Sequence, residues 1–332
     1  MTKKILLTII LPFAVFAAGC ARYSPGTLVF VTNERDGTIS VIDAAKDEVV
    51  DTIYCGSRPR GIRLGAGGER AYIALSTPLK KKPEPKDNRI IVLDTADGEI
   101  IKSVNVGSDP EQLAVDREEK LLYVSNEDAG TATITDLESG EVKATLIVGI
   151  EPEGVTMSPD GRWAYVTAET SNSISVIDTA LQRVVKTFLV DARPRDTAFS
   201  PDGARAYVSA ELGQTLSVVD TAKHQVIATI PLRFDENNKP VGVVVSPDGR
   251  KIYVANGRGN SVSVIDAGSF EILATIAAGE RVWGIAVTPD GKKLYAAGSL
   301  SNDVTVIDAE NYRIMKKIQV GDGPWGLAVR DR

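Results

Sequence analysis

The chain has a single histidine, His224, and only two cysteines, Cys20 and Cys55. One histidine, set in a turn-like stretch over 220–226, excludes a multi-histidine copper site and a histidine-rich zinc cluster. It also leaves no histidine-based triad among the loops that gather charge. No Cys-x-x-Cys-His haem run and no Gly-x-x-x-x-Gly-Lys phosphate loop occurs. Apolar residues nowhere recur at helical spacing, and no apolar run reaches the length that spans a bilayer. Positive charge is also in deficit. With 38 Lys and Arg against 44 Asp and Glu, the net charge is −6, so the average surface repels phosphate backbones and nucleic acid is not an expected partner.

What is present begins with the first twenty residues. Lys3 and Lys4 precede an apolar run over 5–16, which ends in Ala17-Ala18-Gly19-Cys20. A positive n-region, a short apolar stretch and small residues before a cysteine make 1–19 a lipoprotein signal peptide, with Cys20 lipidated and 20–27 a short tether. Ordinary cleavage nearby, with Cys20 incidental and the product soluble in the periplasm, is the alternative. Ala21 stands where an Asp would favour retention at the inner membrane, so the expected location is the outer membrane, facing the periplasm. Lipidation leaves Cys55 alone, without a disulfide partner. It occupies the place that Val106, Val148, Val190 and Val320 hold in other copies of a repeat, and is read as a buried small hydrophobe.

That repeat runs over 28–332. An Asp closes an alternating apolar stretch at Asp43, Asp94, Asp136, Asp178, Asp220, Asp266 and Asp308, spaced by 42 except where insertions lengthen the interval. Each copy holds four short strand patterns, for example 154–157, 163–167, 173–177 and 184–189, separated by turn signals such as the Ser-Pro-Asp-Gly runs at 158–161, 200–203 and 246–249. Seven copies of four antiparallel strands predict an all-β, seven-bladed β-propeller, because one such sheet cannot bury both faces alone and a ring of seven can. The chain opens on a second strand, 28–32, and ends on a first strand, 325–329. The C-terminal strand is therefore expected to close the first blade.

Tyr123-Val124-Ser125-Asn126, Tyr253-Val254-Ala255-Asn256, the Ser-Pro-Asp-Gly runs and the repeated Val-Ile-Asp resemble the YVTN family of β-propellers across nearly all of 28–332. Val31-Thr32-Asn33-Glu34-Arg35-Asp36, Arg58-Pro59-Arg60-Gly61, Glu151-Pro152-Glu153-Gly154, Arg281-Val282-Trp283 and Pro324-Trp325-Gly326 are most similar to the propellers associated with catabolism dependent on pyrroloquinoline quinone (PQQ). The resemblance implies a periplasmic protein accompanying quinoprotein alcohol oxidation. Its implied partners are a periplasmic quinoprotein dehydrogenase or its accessory proteins, besides the membrane reached through the N-terminal lipid.

In a propeller, the link from fourth strand to next first strand and the link from second to third strand share one face, around the central channel. Residues flanking the Pro of the first set are Arg58 and Arg60, Asp109 and Glu111, Glu151 and Glu153, Arg193 and Arg195, Lys239 and Val241, Arg281 and Trp283, and Gly323 and Trp325. Arginines beside indole rings suit an anionic planar ligand such as a carboxylated quinone, PQQ included. The competing reading is an ion-pair network in which these loops neutralise one another. Asp109, Glu111, Glu151 and Glu153, with Glu34, Glu127, Glu169 and Glu211 from the second set, are weak candidates for Ca²⁺; a polar loop is the plainer reading. Gln112 and Asp196 replace the Gly that opens most first strands and can project towards the channel. No catalytic residues are assigned. The expected function is a binding or scaffold propeller, with a metal-assisted hydrolase of the lactonase type as alternative and a nucleic-acid-binding propeller third. The run Lys80-Lys81-Lys82-Pro83-Glu84-Pro85-Lys86 reads as a loop on the channel face, and Trp163 as strand packing.

Overall fold

The computed structural model describes residues 22–23, 25–77 and 88–331. The signal segment, Cys20 and the 80–86 insertion lie outside the described residues. Seven four-stranded antiparallel sheets form the ring. Blade four consists of Pro152–Met157, Trp163–Ala168, Ser173–Asp178 and Arg183–Leu189, within two residues of the strands read from turn chemistry. Its third strand is buried along its whole length, whereas the fourth alternates between exposed and half-buried. Three strands of each blade are thus sandwiched between neighbours and the fourth faces solvent.

Tyr72, Tyr123, Tyr165, Tyr207, Tyr253 and Tyr295 are fully buried, one per blade from two to seven, and Phe30 takes the place in blade one. Burying a ring of this size stabilises the fold by about 1.5–3 kcal/mol. In the Ser-Pro-Asp-Gly turn of blade four, Ser158 Oγ donates to Asp160 Oδ1 (2.6 Å), which also accepts from the Arg162 amide (3.1 Å). Gly161 supplies the positive φ of 75° that ends the turn.

The turn from third to fourth strand, on the face opposite the channel mouth, carries one residue at positive φ in every blade: Asp47, Gly98, Gly140, Gln182, His224, Phe270 and Tyr312. In two blades this residue pins the tyrosine of the preceding blade. Tyr295 Oη donates to Asp47 Oδ1 (2.9 Å), and Tyr165 Oη lies 2.6 Å from His224 Nδ1. His224 therefore departs from the expectation of a surface turn residue. It is 9% exposed and meets Trp163 edge-on at 4.7 Å, because its turn folds back under the neighbouring blade.

The first blade is closed as expected. Pro324–Arg330 pairs with Leu28–Asn33, with Val29 opposite Val329 and Val31 opposite Leu327. Cys55 is buried in the apolar cluster that holds Phe30 and Ile39.

Candidate functional site

Five of the seven loops between blades hold their leading charged residue in the left-handed region: φ is 42° at Arg58, 48° at Asp109, 55° at Glu151, 60° at Arg193 and 53° at Arg281. Gly323, at 71°, fills the same place in the seventh loop. A side chain in this conformation costs roughly 1–2 kcal/mol. Keeping a charged residue where glycine is unstrained points to a task for the side chain.

Behind this rim the strand-one glycines let neighbouring blades approach. A Cβ on Gly326 would come within 2.7 Å of the Arg60 carbonyl, and one on Gly154 within 2.6 Å of the Arg195 carbonyl. Gln112 and Asp196 break the pattern and line the channel with Arg63, Glu153, Arg195, Trp283 and Trp325. Asp196 accepts from the amides of Thr197 (2.9 Å) and Val243 (3.3 Å), and burial raises its pKa.

Two arginine-centred clusters fill the mouth. In the first, Arg60 contacts Glu111, bonds Glu34 at 3.0 Å and lies 3.8 Å from Glu127. Arg58 bonds the same Glu34 carboxylate (3.0 Å) and reaches Asp109 (3.5 Å). In the second, Arg195 contacts Glu153 and Glu169 through one guanidinium nitrogen and Glu211 through another, at 2.5 Å. Arg193 braces Glu169 (2.7 Å) and Glu211 (3.2 Å) from outside. The glutamates of the second-to-third-strand loops are therefore the partners of the arginines. Sequence reading gathered both sets on one face without pairing them.

Four guanidiniums thus face seven carboxylates. Burial and the neighbouring Glu153 charge raise the Glu127 pKa. Burial, a hydrogen bond to Glu153 and the Glu153 charge push Glu169 up to about 10. Burial also pulls Glu153 upward, but Arg195, the Glu169 hydrogen bond and Arg60 together hold it below the usual range. The two carboxyls titrate as a coupled pair, with Glu169 pushed towards the protonated form and Glu153 towards the ionised one.

The opposite rim is different. Trp283 and Trp325 lie 5.9 Å apart at 39°, with the Arg281 guanidinium 4.7 Å and the Arg195 guanidinium 5.2 Å from the Trp283 ring. Burial and the nearby Arg258 charge lower the Arg281 pKa.

The donor sets test the two groups considered from sequence. Oxygens of Asp109, Glu111 and Glu127 lie within 4.8 Å of one another, but Arg60 holds Glu111 and Arg58 holds Asp109, so guanidiniums already neutralise this cluster. Glu151 turns instead to Thr170 and Glu153 to Arg195, so of the four carboxylates only Asp109 and Glu111 are brought together, with Glu127 as the third member. The channel cavity measures about 40 Å³, room for a few waters, where ligand pockets span roughly 300–1,000 Å³. A tricyclic quinone does not fit it, and Arg58, Arg60, Arg193 and Arg195 are engaged by carboxylates.

Fold and mouth together define a seven-bladed β-propeller with a charged, arginine-bridged rim. A family model described as lactonase, seven-bladed β-propeller, matches residues 181–317, and one described as a choice-of-anchor I domain matches residues 32–186. No curated protein matches the chain significantly. Among solved structures, hydrazine synthase of Kuenenia stuttgartiensis is 22% identical with a TM-score of 0.71, over 81% of this chain and 88% of that one. A proposed 6-phosphogluconolactonase of Bacteroides fragilis is 17% identical with a TM-score of 0.76, over 93% of this chain and 99% of that one. The counterpart from Bacteroides uniformis is also 17% identical with a TM-score of 0.76, over 92% and 100%. At these identities the likeness is one of fold.

Proposed function

We propose that this propeller is a non-catalytic binding module of the cell envelope, held at the outer membrane through a lipidated Cys20. In this reading its channel mouth engages a protein partner of PQQ-dependent alcohol oxidation, a quinoprotein dehydrogenase or one of its accessory proteins. The observation that carries it is the local excess of carboxylates over guanidiniums in the two arginine-centred clusters, across the mouth from Arg281. Such a rim attracts a basic surface and disfavours the anionic quinone itself. Beside the rim, Glu127, Ile150 and Glu151 line an open groove, which suits a lysine or arginine side chain flanked by apolar contact. The link to quinoprotein oxidation rests on the sequence resemblance, and the lipid anchor on the lipobox-like run. The test is affinity purification of the lipidated protein from its native envelope after crosslinking. A dehydrogenase or accessory protein recovered with the wild type and lost on Glu127→Lys with Glu151→Lys supports the reading. Recovery undiminished by the charge reversal overturns it.

A lactone hydrolase is the second reading. It is favoured by the lactonase family match, which spans Arg193, Arg195, Glu211, Arg281 and Trp283, and by the Glu153–Glu169 pair, whose unlike protonation states are what acid–base catalysis requires. Turnover of gluconolactones by the purified protein, abolished by Glu153→Gln with the fold intact, would establish it; no turnover would dismiss it.

A further inference from the structure

The seam between blades one and two departs from the other blade junctions. At two other junctions the preceding tyrosine hydrogen-bonds the positive-φ residue of the next blade's outer turn, Tyr165 with His224 and Tyr295 with Asp47, and where blade three has Gly140 in that place Tyr72 donates to Glu119 instead. Here blade one supplies Phe30, without a hydroxyl, and blade two supplies Gly98, without a side chain. The gap is filled from the N-terminal segment. Tyr23 is 8% exposed and packs in the cluster that holds Phe30. A Cβ on Gly98 would overlap the Tyr23 hydroxyl and press on Ile53. The hydroxyl donates to Asp51 Oδ2 at 2.7 Å and Arg22 Nη2 to Asp51 Oδ1 at 2.8 Å. The amides of Arg22 and Tyr23 both donate to the Ala96 carbonyl, at 3.1 and 3.3 Å. This is a built seat with four hydrogen bonds, and it lies on the face opposite the channel mouth, since Ala96 belongs to the turn between Arg89–Asp94 and Ile100–Asn105.

We infer that this seat orients the propeller on the membrane, with the blade-one/blade-two seam against the lipid surface and the channel mouth turned away from it. The inference rests on the lipid-anchor reading of Cys20. Arg22 follows Cys20 by two positions, so an extended chain carries the lipidated residue no further than about 7 Å from the seat. A tether this short does not let the body tumble. The neighbouring Asp97 and Glu99 give the patch no attraction for anionic lipid, so the acyl chains supply the affinity and the Tyr23 seat supplies the direction. A partner would then meet the mouth from the aqueous side.

The full-length protein, produced with its export and lipidation pathway, is reconstituted in phosphatidylethanolamine–phosphatidylglycerol vesicles. Separate samples carry an environment-sensitive fluorophore at Glu99→Cys, Ala129→Cys or Leu300→Cys, with lipid-borne quencher in the bilayer. Position 99 is expected to be quenched at least twofold more than positions 129 and 300, which lie in mouth-face loops. Ten Gly-Ser residues inserted ahead of Arg22 leave the fold untouched and allow excursions of about 17 Å, and should erase the contrast; Tyr23→Ala should do the same. Equal quenching at the three positions in the uninserted protein overturns the orientation. Mass spectrometry of the same sample reads the anchor separately: an unmodified Cys20 overturns the anchor reading and the orientation with it, whereas a diacylated Cys20 with equal quenching overturns the orientation alone.

Discussion

Removing Arg195 tests whether the mouth is held by its ion pairs or merely decorated by them. Its guanidinium is 9% exposed and is shared by Glu153, Glu169 and Glu211. Arg195→Met keeps much of the side-chain volume but leaves Glu153, Glu169 and Glu211 without their shared cation, with Arg193 and, on the Glu153 side, Arg60 the guanidiniums that remain nearby. Breaking a buried pair by deleting one partner costs about 3–5 kcal/mol. For a chain of this size that lowers Tm by roughly 5–8 °C at pH 7. The cost must depend on pH. Without Arg195, burial and mutual repulsion raise the folded pKa of these carboxylates above the unfolded value. A group so raised contributes fully below its unfolded pKa and loses its contribution as pH rises. The variant should therefore recover towards the wild type between pH 7 and pH 4.5. Differential scanning calorimetry across that range is the assay. A deficit below about 1 kcal/mol at pH 7, or one that does not shrink in acid, would refute the account of a charge-loaded mouth.

The remaining predictions concern the coupled glutamates, the histidine, the ring closure and the Tyr23 seat. Because Glu169 is the member pushed towards the protonated form, Glu169→Gln should shift stability by less than about 1 kcal/mol, while Glu153→Gln should cost at least about twice as much; equal losses in urea titrations would contradict that ordering of the pair. Burial, with the charges of Lys186 and Arg162, lowers the pKa of His224, so its contribution is present above the unfolded value of about 6.5 and lost as pH falls through the lowered folded value. Stability measured from pH 7.5 to 5 should decline in the wild type and decline less in His224→Gln. Ending the chain at Gly321 removes Pro324–Arg330, and should unfold the ring as a whole; a cooperative transition at the wild-type midpoint would rule that out. Gly98→Ala should cost about 1–3 kcal/mol through positive-φ strain and eviction of Tyr23, read by the same calorimetry and by proteolysis ahead of Arg22.

The blade plan was legible because strand and turn signals are local. Asp160 and Gly161 set their turn with partners two and three residues away, and the third strands are marked by an alternating stretch that ends in Asp. Ring closure was legible from the odd strands at the two ends. The mouth was legible as a set of loops but not as contacts. Arg195 meets Glu153 across 42 residues, and Glu169 across 26. Such pairings are set by the angle between adjacent blades, which no single repeat encodes. His224 reads as an exposed turn residue because its partner Tyr165 stands 59 residues earlier. The Tyr23 seat was hidden for a different reason: it fills two omissions, at Phe30 and Gly98, that matter only once the blades are stacked.

The closing strand also bears on how the molecule is made. Val29 finds its partner at Val329, so during synthesis the strand Leu28–Asn33 waits with one edge open until Pro324–Arg330 has been made. Pairing across such a sequence separation is slow, and an unpaired apolar edge invites aggregation. Blades two to seven can each fold from contiguous chain, whereas blade one matures last although its other three strands are translated first. The seven-residue strand Pro324–Arg330 acts as a checkpoint in time, keeping the ring open until it has been made.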